Sequence, residues 1–381
     1  METDILIANG NAFREARNPQ QALACYAQAF GLDFNYVHAF NNYGNVLREM
    51  GHPKRAIPFL KAAIDIEPNN VTAQFNLAVA YLLDGDYEKG WPQYEWRWRY
   101  EHLAGTRPNF TQPLWTGQDL KDKTILICGE QGLGDNIQFL RFTQTLQSAG
   151  AKVIFQVPSA LTSLFANDRT ITVISLGDPI PNFDYWITAM SLPTPLGLTL
   201  KNMPRTLTYI NPSPEQVNLW KQRLGIKKKI RIGFCWSGRR DTWINKHKSI
   251  PFEYMFNLIK RNPQFEWISL QVDATPEETA LLETLKLPTF PGTIQTFDQT
   301  AGLVKNLDMV IGVDTAISHL AGAMGLPTWV CLNNYGLDWR WLLNRNDSPW
   351  YPTATLFRQP KMDDWQSVMD LIHQRLTLVK I

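Results

Sequence analysis

An array of helical repeats followed by two doubly wound α/β domains is the fold class this sequence predicts, and three observations predict it. Small residues recur through the first hundred positions with a period of about 34 residues. After about residue 120 the period changes: "KTILIC", "AKVIFQV" and "FDYWIT", then "KIRIGFCW", "FEWISLQ", "DMVIGVD" and "PTWVCL", alternate with helical stretches. Strands alternating with helices imply parallel sheets covered on both faces. The length, 381 residues, is too great for one compact core and suits two or three domains.

The repeats come first. In the unit 37–70, Gly44, Ala56, Ala63 and Pro68 stand where a helix pair needs small side chains and a terminating proline. That is the tetratricopeptide pattern. One period back, Gly10, Ala22, Tyr26 and Ala29 take the equivalent places, and one period forward Leu77, Ala78, Tyr81 and Gly90 do so. The third unit decays in its second helix, where "GWPQYEWRWRY" places Pro92 early and Arg97 where a small residue is expected. Trp91, Tyr94, Trp96 and Trp98 then read as a buried junction or as a binding platform. Solenoids of this kind offer a concave face to proteins or peptides. Asn41, Asn42, Asn45 and Gln74 are expected on that face by repeat position, either as amide contacts for an extended peptide or as ordinary solvent-facing residues.

Charge and cysteine content narrow the classes. A charged fraction of 19% and a formal net charge of +2 are too near neutral for nucleic-acid binding by bulk charge, so any anion site must be local. The four cysteines, Cys25, Cys128, Cys235 and Cys331, show no C-x-x-C spacing, which argues against a metal framework and fits a reducing compartment. The opening "METDILIANG" has no basic segment followed by an apolar one, and no window approaches the ~18 apolar residues of a membrane span. A cytoplasmic protein is the expectation.

The first chemistry-bearing element follows the first strand. "GEQGLGDNIQF" is a strand-to-helix turn with Gly132, Gly134 and Asp135. A dinucleotide fingerprint needs a third glycine where Ile137 stands and an acid about twenty residues on, which "FQVPSA" does not supply. No phosphate-binding G-x-x-x-x-G-K-[ST] occurs either. What remains is a turn where glycine lets a ligand approach the backbone, with Asp135 either facing that ligand or capping the helix.

In "DMVIGVDTAISHLAGAMGLP" a strand ends at Asp314 and a helix starts at Thr315. Its first N–H groups and the Thr315 hydroxyl make a place for a diphosphate, and His319 shares the face of Thr315. Asp314 should cap the helix or bind a sugar hydroxyl, and His319 is either a packed histidine or a ligand contact. The loop "WSGRRDTWINKHKSIP" carries Arg239 and Arg240, readable as a solvated basic loop, and Lys248 close to a helix start, where an ammonium could neutralise a leaving diphosphate.

With "CWSG", "SLQVD" and "DWRWLLNRNDSPWYP", these stretches resemble the tetratricopeptide-containing glycosyltransferases related to the lipopolysaccharide heptosyltransferases, glycosyltransferase family 9, and more distantly the protein O-GlcNAc transferases. The resemblance implies a GT-B fold of two Rossmann-like domains behind the repeats, and inverting transfer without a metal. It makes Asp135 the catalytic base and puts Gly132, Gly134, Ser237, Gly238, Lys248, Gln271, Asp314, Thr315, Ala316 and His319 on the donor. The organisation expected is repeats over 1–104, a connector over 105–120, an acceptor-side domain over 121–212, a linker over 213–229, a nucleotide-sugar domain over 230–360, and a helix over 361–381 crossing back. The partners expected are a nucleotide sugar and a protein, peptide or glycan acceptor met through the repeats, with no nucleic acid, membrane span or cofactor. A non-catalytic repeat scaffold whose GT-B body only binds a nucleotide sugar or a protein is the alternative.

Overall fold

The computed structural model describes residues 2–100, 103–238, 240, 247–288, 290 and 294–379. Arg239 lies outside the described residues, as does most of its loop. The chain divides into two compact units, the first comprising Met1–Asn109, Leu196–Met203 and Asn334–Arg345.

In that unit six helices run α1 (Glu2–Glu15), α2 (Pro19–Leu32), α3 (Val37–Glu49), α4 (Pro53–Ile66), α5 (Val71–Asp84) and α6 (Tyr87–Tyr94), ending in a 3-10 turn, Glu95–Arg99. The recurring glycines mark where helices touch. A Cβ on Gly10 would lie 2.4 Å from the ring of Tyr26 in the paired helix, and one on Gly44 would lie 2.7 Å from Leu60. Neither site has room for alanine. α6 is shorter than the helices before it and passes directly into the 3-10 turn.

Of the aromatic run, Trp91 and Tyr94 are buried within this unit, and Trp96 and Trp98 are half-buried. Trp91, 1% exposed, meets Trp339 edge to face with ring centres 5.0 Å apart. Residues 334–345 are thus tied to the repeats, and a charged cluster ties them further. Glu49, buried at the end of α3, accepts hydrogen bonds from Arg14 Nε at 2.9 Å, Asn45 Nδ2 at 3.2 Å and the Tyr335 hydroxyl at 2.9 Å. Burial pushes the Glu49 carboxyl up, but Arg14 and Arg48 outweigh it and hold the group below its ordinary range.

The polar residues expected on an open concave face are instead largely buried, which corrects that reading. Asn41, Asn45 and Gln74 are all below 10% exposed. Tyr26 Oη and Asn42 Nδ2 both donate to Asn11 Oδ1, at 2.7 and 3.1 Å, Asn41 Nδ2 donates to Asn42 Oδ1 at 3.0 Å, and Asn76 Nδ2 donates to Asn41 Oδ1 at 3.0 Å. The buried amides of Asn41 and Asn76 are thus held by neighbouring side chains, so α3 and α5 bury them without the cost of an unmade bond, while Asn11 on α1 stays exposed. Gln74 likewise donates to the carbonyl of Pro68 at 2.7 Å.

The second unit comprises Phe110–Pro195, Pro204–Asn333 and Asn346–Ile381, and holds both sheets. The first sheet is parallel, with β1 (Thr124–Cys128), β2 (Lys152–Val157), β3 (Thr172–Ser175) and β4 (Tyr185–Thr188) in the order β3-β2-β1-β4. Helices α7 (Leu133–Phe139), α8 (Phe142–Ser148) and α9 (Ser159–Phe165) connect it. The second sheet is also parallel, with β5 (Arg231–Cys235), β6 (Glu266–Ser269), β7 (Met309–Val313), β8 (Thr328–Leu332) and β9 (Ala354–Arg358) in the order β6-β5-β7-β8-β9. Its helices are α10 (Pro214–Leu224), α11 (Phe252–Arg261), α12 (Pro276–Thr284), α13 (Phe297–Val304), α14 (Ala316–Ala323) and α15 (Trp365–Leu376). The burial of β5 and β7 at every residue matches the continuous apolar runs that revealed them.

Two expectations about connections differ from the structure. The segment read as a linker holds α10, N-capped by Ser213, with Trp220 fully buried and Gln216 so close to Gly302 of α13 that a Cβ there would lie 2.7 Å from it. It is part of the body. The final helix, expected to cross back toward the first sheet, puts Trp365, Val368, Met369, Ile372 and Leu376 into one core with Ile232, Phe234, Met255 and Phe357 of the second sheet and α11. Its apolar stripe is used where it starts.

Candidate functional site

In each sheet the chain runs first to one side and then to the other, so the order reverses beside β1 and beside β5. Loops leaving the carboxyl ends of strands at such points frame ligand sites in α/β sheets. Here they are the turn from β1 to α7, the loop after β5, and the turn from β7 to α14.

The first turn is built by Asn136, fully buried, whose Nδ2 donates to the carbonyls of Glu130 at 3.1 Å and Gly132 at 2.8 Å. Gly129 is required, since a Cβ would stand 2.4 Å from Asn136 Oδ1 and 2.7 Å from the Gln156 carbonyl. The strained residue is Gln131, with a left-handed φ of 59°. Asp135, half-buried on the first turn of α7, accepts the Gly132 N–H at 2.8 Å. The capping geometry is therefore real, and it fixes the carboxylate at the end of β1.

Gly134 does something other than admit a ligand to the backbone. A Cβ on it would lie 2.7 Å from His319 Cδ2 and 3.5 Å from Ala316 Cα. The space over the glycine is taken by the start of α14, so the helix leaving β1 and the helix leaving β7 meet there. Gly132 is the N-cap of α7 at φ −86°, a conformation open to any residue.

Lys248 and Asp314 form a buried ion pair, Nζ to Oδ2 at 2.6 Å, with 14% and 8% of their side chains exposed. His319 Nε2 lies 3.5 Å from Asp314 Oδ1. Burial pushes the Asp314 carboxyl up, yet Lys248 and His319 hold it far below the usual carboxylate range. Asp314 thus serves the ion pair and not a helix cap. Thr315 is the N-cap of α14 but makes no side-chain capping bond, and its hydroxyl rests 3.8 Å from Cys235 Sγ. Burial pushes that thiol up to about 11, which favours its protonated form.

Gln271 shapes the end of β5. Its Oε1 accepts the N–H groups of Trp236 at 3.2 Å and Ser237 at 3.1 Å, while its Nε2 donates to the Ser237 carbonyl at 3.1 Å. The Ser237 hydroxyl donates to the Gly238 carbonyl at 2.9 Å and lies 3.0 Å from the Ser249 hydroxyl, next to Lys248. Arg240 pairs with Glu278 at 2.6 Å. The candidate residues after β5 and β7 are thus linked by contacts, and α7 reaches them through Gly134.

Two residues in this network escaped the sequence reading. Tyr351 holds its hydroxyl 2.8 Å from His319 Nδ1. Arg141, 2% exposed, donates to the carbonyls of Gln138 at 2.9 Å and Trp350 at 2.5 Å and to the Tyr209 hydroxyl at 2.9 Å, with its guanidinium 4.9 Å from the Tyr351 ring centre. The signal for Arg141 was a cation set in the apolar run "QFLRF". Tyr351 lies in a stretch already singled out, "NRNDSPWYP", but no spacing rule ties it to His319.

Residues 47–90 match the tetratricopeptide repeat family. The N-terminal helices carry tetratricopeptide repeats. The sequence is similar to Protein FlbA of Caulobacter vibrioides, 25% identical over 422 residues that cover 94% of this chain and 70% of that protein. Among solved structures it is similar to Escherichia coli ADP-heptose LPS heptosyltransferase II, with 13% identity over 67% of this chain and 99% of that one and a TM-score of 0.48. A glycosyl transferase family 9 protein from Veillonella parvula matches with 13% identity, 69% and 100% coverage and a TM-score of 0.48.

Proposed function

We propose that this chain is an inverting, metal-independent glycosyltransferase of the GT-B type, moving a sugar from a nucleotide-sugar donor to an acceptor hydroxyl, with the repeats recruiting the acceptor or a partner protein. The observation that carries the reading is the seating of His319 on Gly134. It brings the helix starts from two reversal points together, with one carboxylate on α7 and a lysine–aspartate pair beside α14. Inverting transfer needs that division of labour: a base on one side of the anomeric carbon and stabilisation of the departing diphosphate on the other.

In this mechanism the acceptor oxygen forms its bond to the anomeric carbon as the bond from that carbon to the diphosphate oxygen breaks. Asp135 takes the acceptor proton. The leaving diphosphate keeps the bonding electrons and is met by the N–H groups at the start of α14, which no side chain of Thr315 caps. The Asp314 charge is matched by Lys248, so it does not repel the diphosphate. Ser237, Gly238 and Gln271 shape the wall of the donor site. A metal-dependent enzyme of this class would need a D-x-D pair near the diphosphate. The pair in this sequence is Asp84–Gly85–Asp86. There Gly85 ends α5 at a φ of 83° and Asp86 caps α6 by accepting the Lys89 N–H at 3.3 Å. Those roles belong to the repeats.

The test is release of free nucleotide from UDP-, GDP-, ADP- and CMP-sugars with excess EDTA and no acceptor. Saturable turnover of one donor is the expected result. Turnover that stops with EDTA and returns with Mn²⁺ would remove the metal-free mechanism.

A further inference from the structure

The His319 ring is held on three sides, and the holders fix where its proton sits. Asp314 is ionised, since Lys248 Nζ stands 2.6 Å from its Oδ2, and a carboxylate can only accept. His319 Nε2, 3.5 Å from Asp314 Oδ1, therefore carries the proton. In the neutral ring Nδ1 is then an acceptor, and the Tyr351 hydroxyl 2.8 Å away donates to it. The third side is closed by Gly134, which leaves the Cδ2 edge no room to swing. Tyr351 is itself wedged: a Cβ on Gly322 would lie 2.6 Å from its ring. Among the described residues, charges near the ring include Lys248 beyond Asp314, Asp135 on α7 and, behind Tyr351, the buried guanidinium of Arg141.

We infer that Tyr351 is a positioning residue that locks His319 in the Nε2-protonated form, and that His319 in turn orients Asp314 and Lys248 instead of touching the donor. The chain of contacts runs Arg141, Tyr351, His319, Asp314, Lys248, and it sets where the Lys248 ammonium points. This rests on the nucleotide-sugar reading for its functional consequence, but the proton placement stands on the 2.8 Å hydrogen bond to Tyr351 and the 3.5 Å approach to Asp314 alone.

The test is nitrogen NMR of the full chain labelled with ¹⁵N-histidine, at a pH above the ordinary histidine range, with the His319 signals identified by their loss in His319→Gln. The inference expects a pyrrole-type shift at Nε2 and a pyridine-type shift at Nδ1. In Tyr351→Phe the second tautomer should appear, and binding of ADP, GDP or UDP, whichever the parent binds, should weaken roughly 3- to 10-fold, the worth of one hydrogen bond. A ring protonated at Nδ1 in the parent, or at both nitrogens, overturns the inference, and so does an unchanged tautomer in the variant. If Tyr351→Phe does not fold, the parent spectrum decides alone. If the parent shows the expected tautomer but binds none of the three nucleotides, the proton placement holds and the nucleotide-sugar reading fails.

Discussion

Asp135→Asn is expected to lower turnover by roughly 10²-fold or more while leaving donor affinity within a few-fold. The asparagine keeps the size of the side chain and an oxygen able to accept the Gly132 N–H, so the turn into α7 should survive. What it loses is the ability to take a proton from the acceptor. Turnover and donor affinity measured on one preparation separate the two roles. Equal turnover in variant and parent would make Asp135 a helix cap and nothing more.

Lys248→Met is expected to cost about 3–5 kcal/mol of stability, because it leaves Asp314 as a buried carboxylate without its main partner. The loss should be read from denaturant unfolding. Replacing the pair together, with Lys248→Met and Asp314→Leu, removes both charges and should restore much of that stability, since a well-packed apolar pair can equal a buried ion pair. It should not restore nucleotide binding. The double variant thus distinguishes an ion pair kept for folding from one kept for the ligand.

The sheets were legible because their strands are buried on both faces and read as unbroken apolar runs, as "TILIC" and "MVIGV" do. β3 was missed because none of its four residues is fully buried, and nothing in "TVIS" exceeds the background of a loop. The repeats were legible through glycines whose Cβ would strike the paired helix. Repeat position alone could not show that their asparagines satisfy one another and sink into the packing. The link between Glu49 and Tyr335, separated by 286 residues, had no local signal at all.

The candidate residues on short strand-to-helix turns could be singled out because the chemistry and the turn coincide in sequence. Gly134 was found for the wrong physical reason: glycine was read as room for a ligand, whereas the room is filled by His319. Arg141 and Tyr351 had no such local signal, because their partners, Trp350 and Tyr209 for the one and His319 for the other, are distant in sequence.

A nucleotide sugar is expected to bind where the starts of α7 and α14 meet. The direct measurement is thermal or chemical unfolding of the parent and of the Lys248→Met, Asp314→Leu double variant, with each donor in turn and EDTA present. One donor at a hundred times its dissociation constant should stabilise the parent by about 2.7 kcal/mol and leave the double variant unmoved. If no nucleotide sugar stabilises the parent, or if the double variant gains as much, the donor site is not at Lys248 and Asp314.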